Sequence, residues 1–370
     1  MSTLAFTDAT TFAPTLSVIL NGTPTPTDVT RSITSATVIA EPTALDHATV
    51  VVANPYPALR FTHGADAGLF REGSGIVVQI GYLDASSALF DGEITCITPS
   101  FPASGVPTLA VEAQSRLFRL ASPPQSHTYS QVTDAAVAEM IAQRNGLTAA
   151  AVPTTEVHDS LVQMHKTDLE FLRSRADEIG YEVVTEGLTL NFRPRADDTP
   201  PEFVLVWGDP QLATQDGSYP LESFEPRLNA RAPVTSVEVR GLDPLTRDLI
   251  KGTAQTGSED VPAGSGMSAA QVTQAAFGSD DLVVVNRPIL TQEQADTAAR
   301  AIYNDRALGL VQATGTTVGI PDLRPGTVVQ VAGVGIRFSG GYYLTRVTHR
   351  IGPGGYLTSF TASSSVVGAI

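Results

Sequence analysis

Cysteine occurs once in this 370-residue chain, at Cys96, which excludes an internal disulfide and a thiolate metal site. Cys96 stands in a strand-like run, residues 93–97, and reads as a small buried apolar group. Lysine is nearly as scarce: Lys166 and Lys251 are the only two, and the other basic residues are arginines. Against 38 Asp and Glu the 23 Lys and Arg leave a net charge of -15, which argues against a general nucleic-acid-binding surface, since phosphate contacts need clustered cations. Excess acid keeps a chain in solution, and on an inner surface it would also let a polyanion slide past without sticking. No run approaches the roughly 18 uninterrupted apolar residues of a membrane-spanning helix, so no membrane insertion is expected. Residues 1–20 lack the basic start and apolar core of a secretory leader, so synthesis in a cytoplasm without a signal peptide is expected. Trp207 is the single tryptophan and aromatics make up 6%, too few for the stacking platforms of a carbohydrate-binding module.

Laid-out chemistry is missing too. The six histidines are His47, His63, His127, His158, His165 and His349. The nearest approach to a cluster, His158-Asp159 with His165 and Asp168, lacks the i, i+4 pair of helical metal sites, and a loop histidine beside a helix-cap histidine accounts for it. His63 with Asp66 fits turn chemistry. Neither a G-x-S-x-G elbow nor a P-loop occurs. Gly264-Ser265-Gly266 has no strand before it, and Gly333-Val334-Gly335 fits a tight hairpin. The pairs Asp197-Asp198, Glu259-Asp260 and Asp280-Asp281 are sequence neighbours rather than carboxylates converging across a cleft. Arg173 and Arg175 fall on different helix faces and read as surface or ion-pairing groups. No catalytic, cofactor-binding or metal site is assigned, and no enzyme is expected. The alternative, a cell-wall hydrolase, would need such a constellation.

What the chain does have is one sharply punctuated stretch, residues 165–194. Thr167 can cap a helix, with Glu170 closing a capping box. Leu169, Leu172, Ala176 and Ile179 make one apolar stripe, and Gly180 ends it. Tyr181 and Val183, then Leu188, Leu190 and Phe192, alternate around a turn at Glu186-Gly187.

Strands dominate on either side. Residues 1–14 read as a flexible N-terminal arm, and 15–124 as a β-barrel-like domain of six or so short strands. Residues 125–200 form a small α/β domain that opens with a helix near 133–145, with Val137, Met140 and Ile141 on one face and a loop at 149–160 after it. A β segment at 201–252 links the domains. Residues 253–289, rich in Gly, Ser, Ala and Gln, read as a mobile loop or linker. Residues 290–370 give a helix from Thr291, with a small-residue face of Ala295, Ala298, Ala299 and Ile302, then a second β-barrel-like domain with strands at 328–331 and 335–338 among others. The fold class is α+β, mostly β.

This order of elements resembles the hub proteins of contractile tails: phage late control gene D proteins and the hub portion of type VI spike proteins. Their helix pattern S/T-D-x-x-F-L-x-x-x-A-x-x-x-G-Y is matched at Thr167-Asp168, Phe171-Leu172, Ala176 and Gly180-Tyr181, after a shorter helix ending in Gly146-Leu147. Residues 70–82 with 89–94 are similar to the family's F-x-x-G-x-x-V-x-I-x-x-G-Y and L-F-x-G-E-I. Residues 221–229 and 234–251 are similar to S-F-x-P-R and V-x-V-R-G-x-D-P. Residues 335–360 resemble the closing G-x-Y-x-V-T-x-V-x-H and Y-x-T-x-F segments.

The resemblance implies a homotrimer in which each chain gives two β-barrels, so that three chains form a pseudo-six-fold ring. Such a baseplate hub adapts a hexameric tail tube to a separate trimeric spike protein, with baseplate wedge proteins as neighbours. DNA or an effector would pass through its channel without specific binding, and the hub would sit in a tail or injection particle. No cofactor is implied. The candidate ring and tube-contact strands carry Gly75, Tyr82, Phe90, Ile94, Val328, Phe338, Tyr343 and Phe360.

Overall fold

The structure, a computed structural model, describes residues 13–54, 68–82, 85–121, 123–195, 200–208, 218–243, 246–258, 266–285 and 289–368. Residues 1–12 of the expected arm, the His63–Asp66 turn, the pairs Asp197-Asp198 and Glu259-Asp260, and Gly264-Ser265 lie outside the described residues.

The first barrel-like sheet is built from β1 (Pro14–Leu20), β2 (Thr23–Pro24), a short helix α1 (Thr27–Ser32), β3 (Ile33–Ala40), β4 (His47–Ala53), β5 (Gly75–Tyr82), β6 (Ala85–Ser100) and β7 (Thr108–Ser115). Its strands run antiparallel in the order β2-β1-β5-β6-β7-β4-β3. Strict alternation puts Val50 and Val52, Ile76, Val78 and Ile80, and Leu109 and Val111 on the inner face, where they are buried. Among the described residues no pairing joins β1 to β3, so the sheet stays open at that seam. One expectation fails here. Cys96 is exposed, because the register slips between Ile94 and Cys96. A bulge at that point sends Cys96 to the face opposite Ile94.

A 3-10 turn, Arg116–Leu120, leads into the small unit: β8 (Gln125–Val132), α2 (Asp134–Arg144), β9 (Thr148–Ala151), β10 (His158–Lys166), α3 (Asp168–Ile179), β11 (Tyr181–Glu186) and β12 (Thr189–Pro194). β8 pairs with β10, and a second sheet runs β11-β12-β9. The capping box of Thr167 and Glu170 is formed, and Gly180 takes a left-handed φ of 73°. α2 and α3 bury Val137, Ile141, Leu169 and Leu172 against Val183, Leu190 and Phe192. Met140, expected on the buried face, is 47% exposed; Val137, Ala138, Ile141 and Ala142 carry that face instead. Leu188 is also exposed, because the hairpin pairs Glu186 with Thr189 and turns on Gly187-Leu188. The stretch expected as a loop at 149–160 contributes β9 and the start of β10.

The rest of the chain supplies β13 (Phe203–Val206), β14 (Tyr219–Leu228), β15 (Ser236–Leu242), β16 (Leu249–Gln255), β17 (Gly266–Ser268), α4 (Ala269–Phe277), β18 (Asp281–Val284), α5 (Gln292–Ala307), β19 (Val311–Val318), β20 (Val328–Ala332), β21 (Gly340–Gly352), β22 (Gly355–Ser364) and β23 (Val366–Gly368). Six of these strands close a barrel in the order β21-β20-β13-β14-β19-β22, completed by β21–β22 pairing. The barrel therefore recruits β13 and β14 from the segment expected only to link domains. Non-local pairing of a four-residue strand leaves no trace in local periodicity. The strand expected at 335–338 is a turn: Gly335 has φ 84° and its carbonyl accepts from Ser339 N.

A third sheet, β16-β15-β18, packs on α5. The expected mobile stretch at 253–289 is ordered over most of its described length, holding the end of β16, then β17, α4 and β18. Ser268 and Gln271 form a capping box on α4. Its buried residues are mainly small: Ala269, Ala270, Val272 and Thr273. On α5, Ala295, Ala298 and Ala299 are buried, and a β-carbon on Gly252 would lie 2.1 Å from the Ala295 backbone. That approach is possible only with glycine on the strand and small residues on the helix.

β21 joins the two barrels without a linker. Its start, Gly340 to Tyr343, pairs with β20. Beyond a register shift between Leu344 and Arg346, Val347 to Ile351 pair with β3 of the first sheet.

Candidate functional site

The chemistry that remains after folding is concentrated where three units meet: the two barrels and the small α/β unit. The loop after β19 reaches across β5 and β6. Tyr82 Oη donates to Gly319 O at 3.0 Å, and Ser87 Oγ donates to Asp322 Oδ1 at 2.6 Å. Arg324 Nη2 donates to Ala88 O at 3.0 Å, and its Nη1 donates to Pro321 O at 2.7 Å. Burial lowers the pKa of this guanidinium, and nearby acids, Asp322 among them, oppose the shift.

Beneath the loop lies His349, 2% exposed. Its Nε2 is 3.0 Å from Leu323 O. A carbonyl can only accept, so Nε2 carries the proton and Nδ1 accepts from Tyr356 Oη at 2.8 Å. Burial, reinforced by the Arg324 charge, pushes the His349 pKa down to about 3, so the ring is neutral near pH 7. Thr358 Oγ1 accepts from Ile320 N at 3.0 Å. The Tyr356 ring fills the space a β-carbon on Gly319 would need, 2.0 Å away, and the Phe360 ring does the same over Gly315 at 2.4 Å. Each fixed residue of the closing H…Y-x-T-x-F pattern thus shapes or seals the barrel end.

The loop between β3 and β4 packs against the other side. Asp46 Oδ1 accepts from Glu41 N at 3.0 Å. Desolvation raises the Asp46 pKa to about 6, opposed by that hydrogen bond and by Arg173 and Arg324 and assisted by Glu41. Arg173 Nη2 donates to Pro42 O at 3.0 Å and Ala44 O at 2.8 Å. Arg173, expected as a surface or ion-pairing group, fastens α3 to the first barrel through these carbonyls. The second barrel is fastened by Glu182, which accepts from Tyr343 Oη at 3.2 Å and from Arg193 Nε at 2.9 Å. Toward α5, Gln294 donates to Glu156 and Thr155 Oγ1 to Glu293 Oε1 at 3.4 Å.

Inside the small unit, His158, Asp159, His165 and Asp168, which the sequence did not assign as a site, each take different partners or positions. Asp168 accepts from Arg144 Nη2 at 2.5 Å, Asn145 Nδ2 at 2.8 Å and Gln163 Nε2 at 2.9 Å. His158 is buried on β10, with Nε2 3.0 Å from Asp134 Oδ2, and Asp134 also accepts from Arg175 Nε at 2.5 Å. α3 is thereby pinned to both ends of α2. Asp159 accepts from Gln131 at the surface, and His165, one residue before the end of β10, has φ 47°. The Asp134 pairing was missed because its partners lie 24 and 41 residues away; an aspartate at a helix start reads as an ordinary dipole-favouring residue. Among the described residues no group of His, Cys, Asp and Glu could hold a metal, and no helix is long and apolar enough to cross a membrane.

Of the eight candidate interface residues, Phe90, Ile94, Val328, Tyr343 and Phe360 are buried within this chain. Their side chains build its cores. Gly75, Tyr82 and Phe338 are half-buried, and Tyr82 is spent on the junction.

Two barrel-like sheets sharing one strand, with a small α/β unit laid over their junction, define a tail-protein fold. The 43 kDa tail protein of prophage MuSo2 from Shewanella oneidensis superposes with a TM-score of 0.70 at 14% identity, covering 95% of this chain and 98% of that one. A tail protein from Neisseria meningitidis MC58 gives 0.69 at 14% identity, covering 95% and 97%. The E. coli c3393 protein, a component of the type VI secretion system with structural similarity to the T4 bacteriophage tail proteins gp27 and gp5, gives 0.57 at 12% identity, covering 93% and 76%. At these identities the likeness is one of fold. The family model for the Alg8 N-terminal domain matches residues 10–352, and the chain belongs to that family. No curated protein matches the sequence.

Proposed function

We propose that this chain is the structural hub of a contractile tail or tail-like injection particle, adapting a hexameric tube to a trimeric spike. The observation that carries the reading is β21, which holds two barrel-like sheets in one rigid chain. Three copies would present six such units to a six-fold tube while keeping three-fold symmetry for a spike. The junction supports a mechanical role. Its Glu182, Arg324 and His349 side chains bond to carbonyls or to partner side chains, as a part that transmits force between tube and spike requires. The reading assigns no catalysis: the polar clusters described are consumed by packing. Tail tube, spike and wedge proteins are the partners under this reading, and the acidic excess would face a channel passed by DNA or an effector.

Electron microscopy of the chain co-assembled with a tail tube protein tests it. The expected image is a ring of six barrel-like units with three-fold symmetry and an acidic lumen. Absence of any ring, or a ring of one barrel per chain, would remove the proposal; a basic lumen would remove its channel part.

A further inference from the structure

The third sheet, β16-β15-β18, packs one face on α5 and exposes the other. Val237, Val239, Ile250 and Ala254 point inward and are buried. Alternation then sends Leu249 and Lys251 of β16, Leu242 and Arg240 of β15, and Val283 of β18 outward. Leu242 and Leu249 are cross-strand neighbours, 56% and 65% exposed. Arg240 and Lys251 form another cross-strand pair, about 7 Å further along the strands. Both turn to Glu238: Arg240 Nε donates to it at 2.5 Å, and Lys251 Nζ lies 2.6 Å away. One carboxylate thus serves two cations, and among the described residues neither cation has a second acidic partner. Asp281, at the opposite end of the face, accepts from Thr235 and Ser236. An exposed apolar pair beside cations with spare donors has the makeup of an interaction surface.

The complement stands on the closed barrel. Phe203, Leu205 and Leu221 are buried in its core. Alternation therefore turns Val204 and Val206 of β13 and Pro220 of β14 outward, with Val206 and Pro220 side by side. Glu222 and Glu225 follow on β14, both exposed, and among the described residues neither is in an ion pair. Arg227 comes only at the far end of the strand. The layout matches that of the first face with the charge reversed: an apolar pair, then, two residues along, a charged group.

Neither face complements itself, because a two-fold contact through either one would set like charges opposite each other. They complement one another, and both belong to the same chain. That chain carries a net charge of -15, so surfaces on which its cations can receive an acidic neighbour are scarce.

We propose that the outward face of β16-β15-β18 on one copy docks on the β13-β14 face of the next. Such a contact is head-to-tail, so it repeats from copy to copy and can close into a ring. It rests on the hub reading only for the number of copies, three.

Sedimentation of the full chain over a range of concentrations tests it. Arg240→Glu and Glu222→Arg should each weaken self-association by about tenfold or more, because each sets like charges across the contact. The two substitutions on one chain restore opposite charges and should bring association back to within about threefold of the unaltered chain. Leu249→Asp, clear of Glu238, should weaken association as well, and it keeps the test open if Arg240→Glu fails to fold. Single variants that associate like the unaltered chain, or a double variant no stronger than the singles, would overturn the proposal. A trimer indifferent to all of these variants leaves the hub standing and these faces fallen. A dimer or tetramer that the single variants break and the double variant restores does the reverse. A chain monomeric at every concentration overturns both.

Discussion

Tyr343 on β21 donates its hydroxyl to Glu182 on β11 at 3.2 Å, and both side chains are buried. This bond ties the small unit to the closed barrel. Tyr343→Phe removes the donor and leaves a buried carboxylate oxygen without it. We expect a loss of about 1–2 kcal/mol, read as a lower urea midpoint at pH 7.5 with an unchanged slope. An unchanged midpoint would mean that the bond does not fasten the two units.

His349 predicts a pH dependence of definite sign. Its folded pKa of about 3 lies below the ordinary 6.5. The unfolded chain therefore takes up the proton first as pH falls. The stability tied to the neutral ring is complete above 6.5 and drains away toward pH 3. Between pH 7.5 and 5 the loss should be about 2 kcal/mol, and His349→Gln should flatten that part of the profile while lowering stability at pH 7.5.

Asp46 works in the opposite direction. Its folded pKa, about 6, lies above the ordinary 3.8, so the folded chain holds the proton more tightly. Its contribution is complete below 3.8 and is lost as pH rises through 6. Asp46→Asn keeps an oxygen for the Glu41 N–H without the charge. It should stabilise the chain at pH 7.5 by on the order of 1–2 kcal/mol and bring no gain at pH 3.5. Destabilisation at pH 7.5 would show that the Arg173 and Arg324 charges outweigh the desolvation.

Much of this architecture was legible in the sequence, and the limits have physical causes. The capping boxes at Thr167 and Thr291 and the αL glycine at Gly180 are local devices, and they form as written. Strand rhythm identified the mostly β class. Strand partners were not legible: β13 and β14 join a barrel whose other strands begin after residue 310. α4 escaped notice because it is only nine residues long and follows a Gly- and Ser-rich stretch that reads as a linker. Cys96 was misplaced by one bulge, which reverses the alternation beyond it. At the junction, the roles of His349 and Thr358 depend on the Leu323 carbonyl and the Ile320 N–H of the loop at 320–323, which no sequence pattern displays.

Gly252 tests whether the small-residue contact of α5 is as tight as the geometry states. A β-carbon there would meet the Ala295 carbonyl carbon and oxygen at 2.1 Å, backbone that cannot rotate away. Gly252→Ala should cost about 2–3 kcal/mol through overpacking. Ala295→Gly, which only thins the contact and weakens the helix, should cost about 1 kcal/mol. Thermal melts of the two variants should rank in that order; equal shifts would contradict the close approach.

The hub account is tested most directly by the mass of the full chain in solution, alone and with a trimeric spike protein. It predicts the mass of three chains, and a complex of three hub chains with three spike chains. A chain that stays monomeric at every concentration and binds neither spike nor tube protein would contradict it.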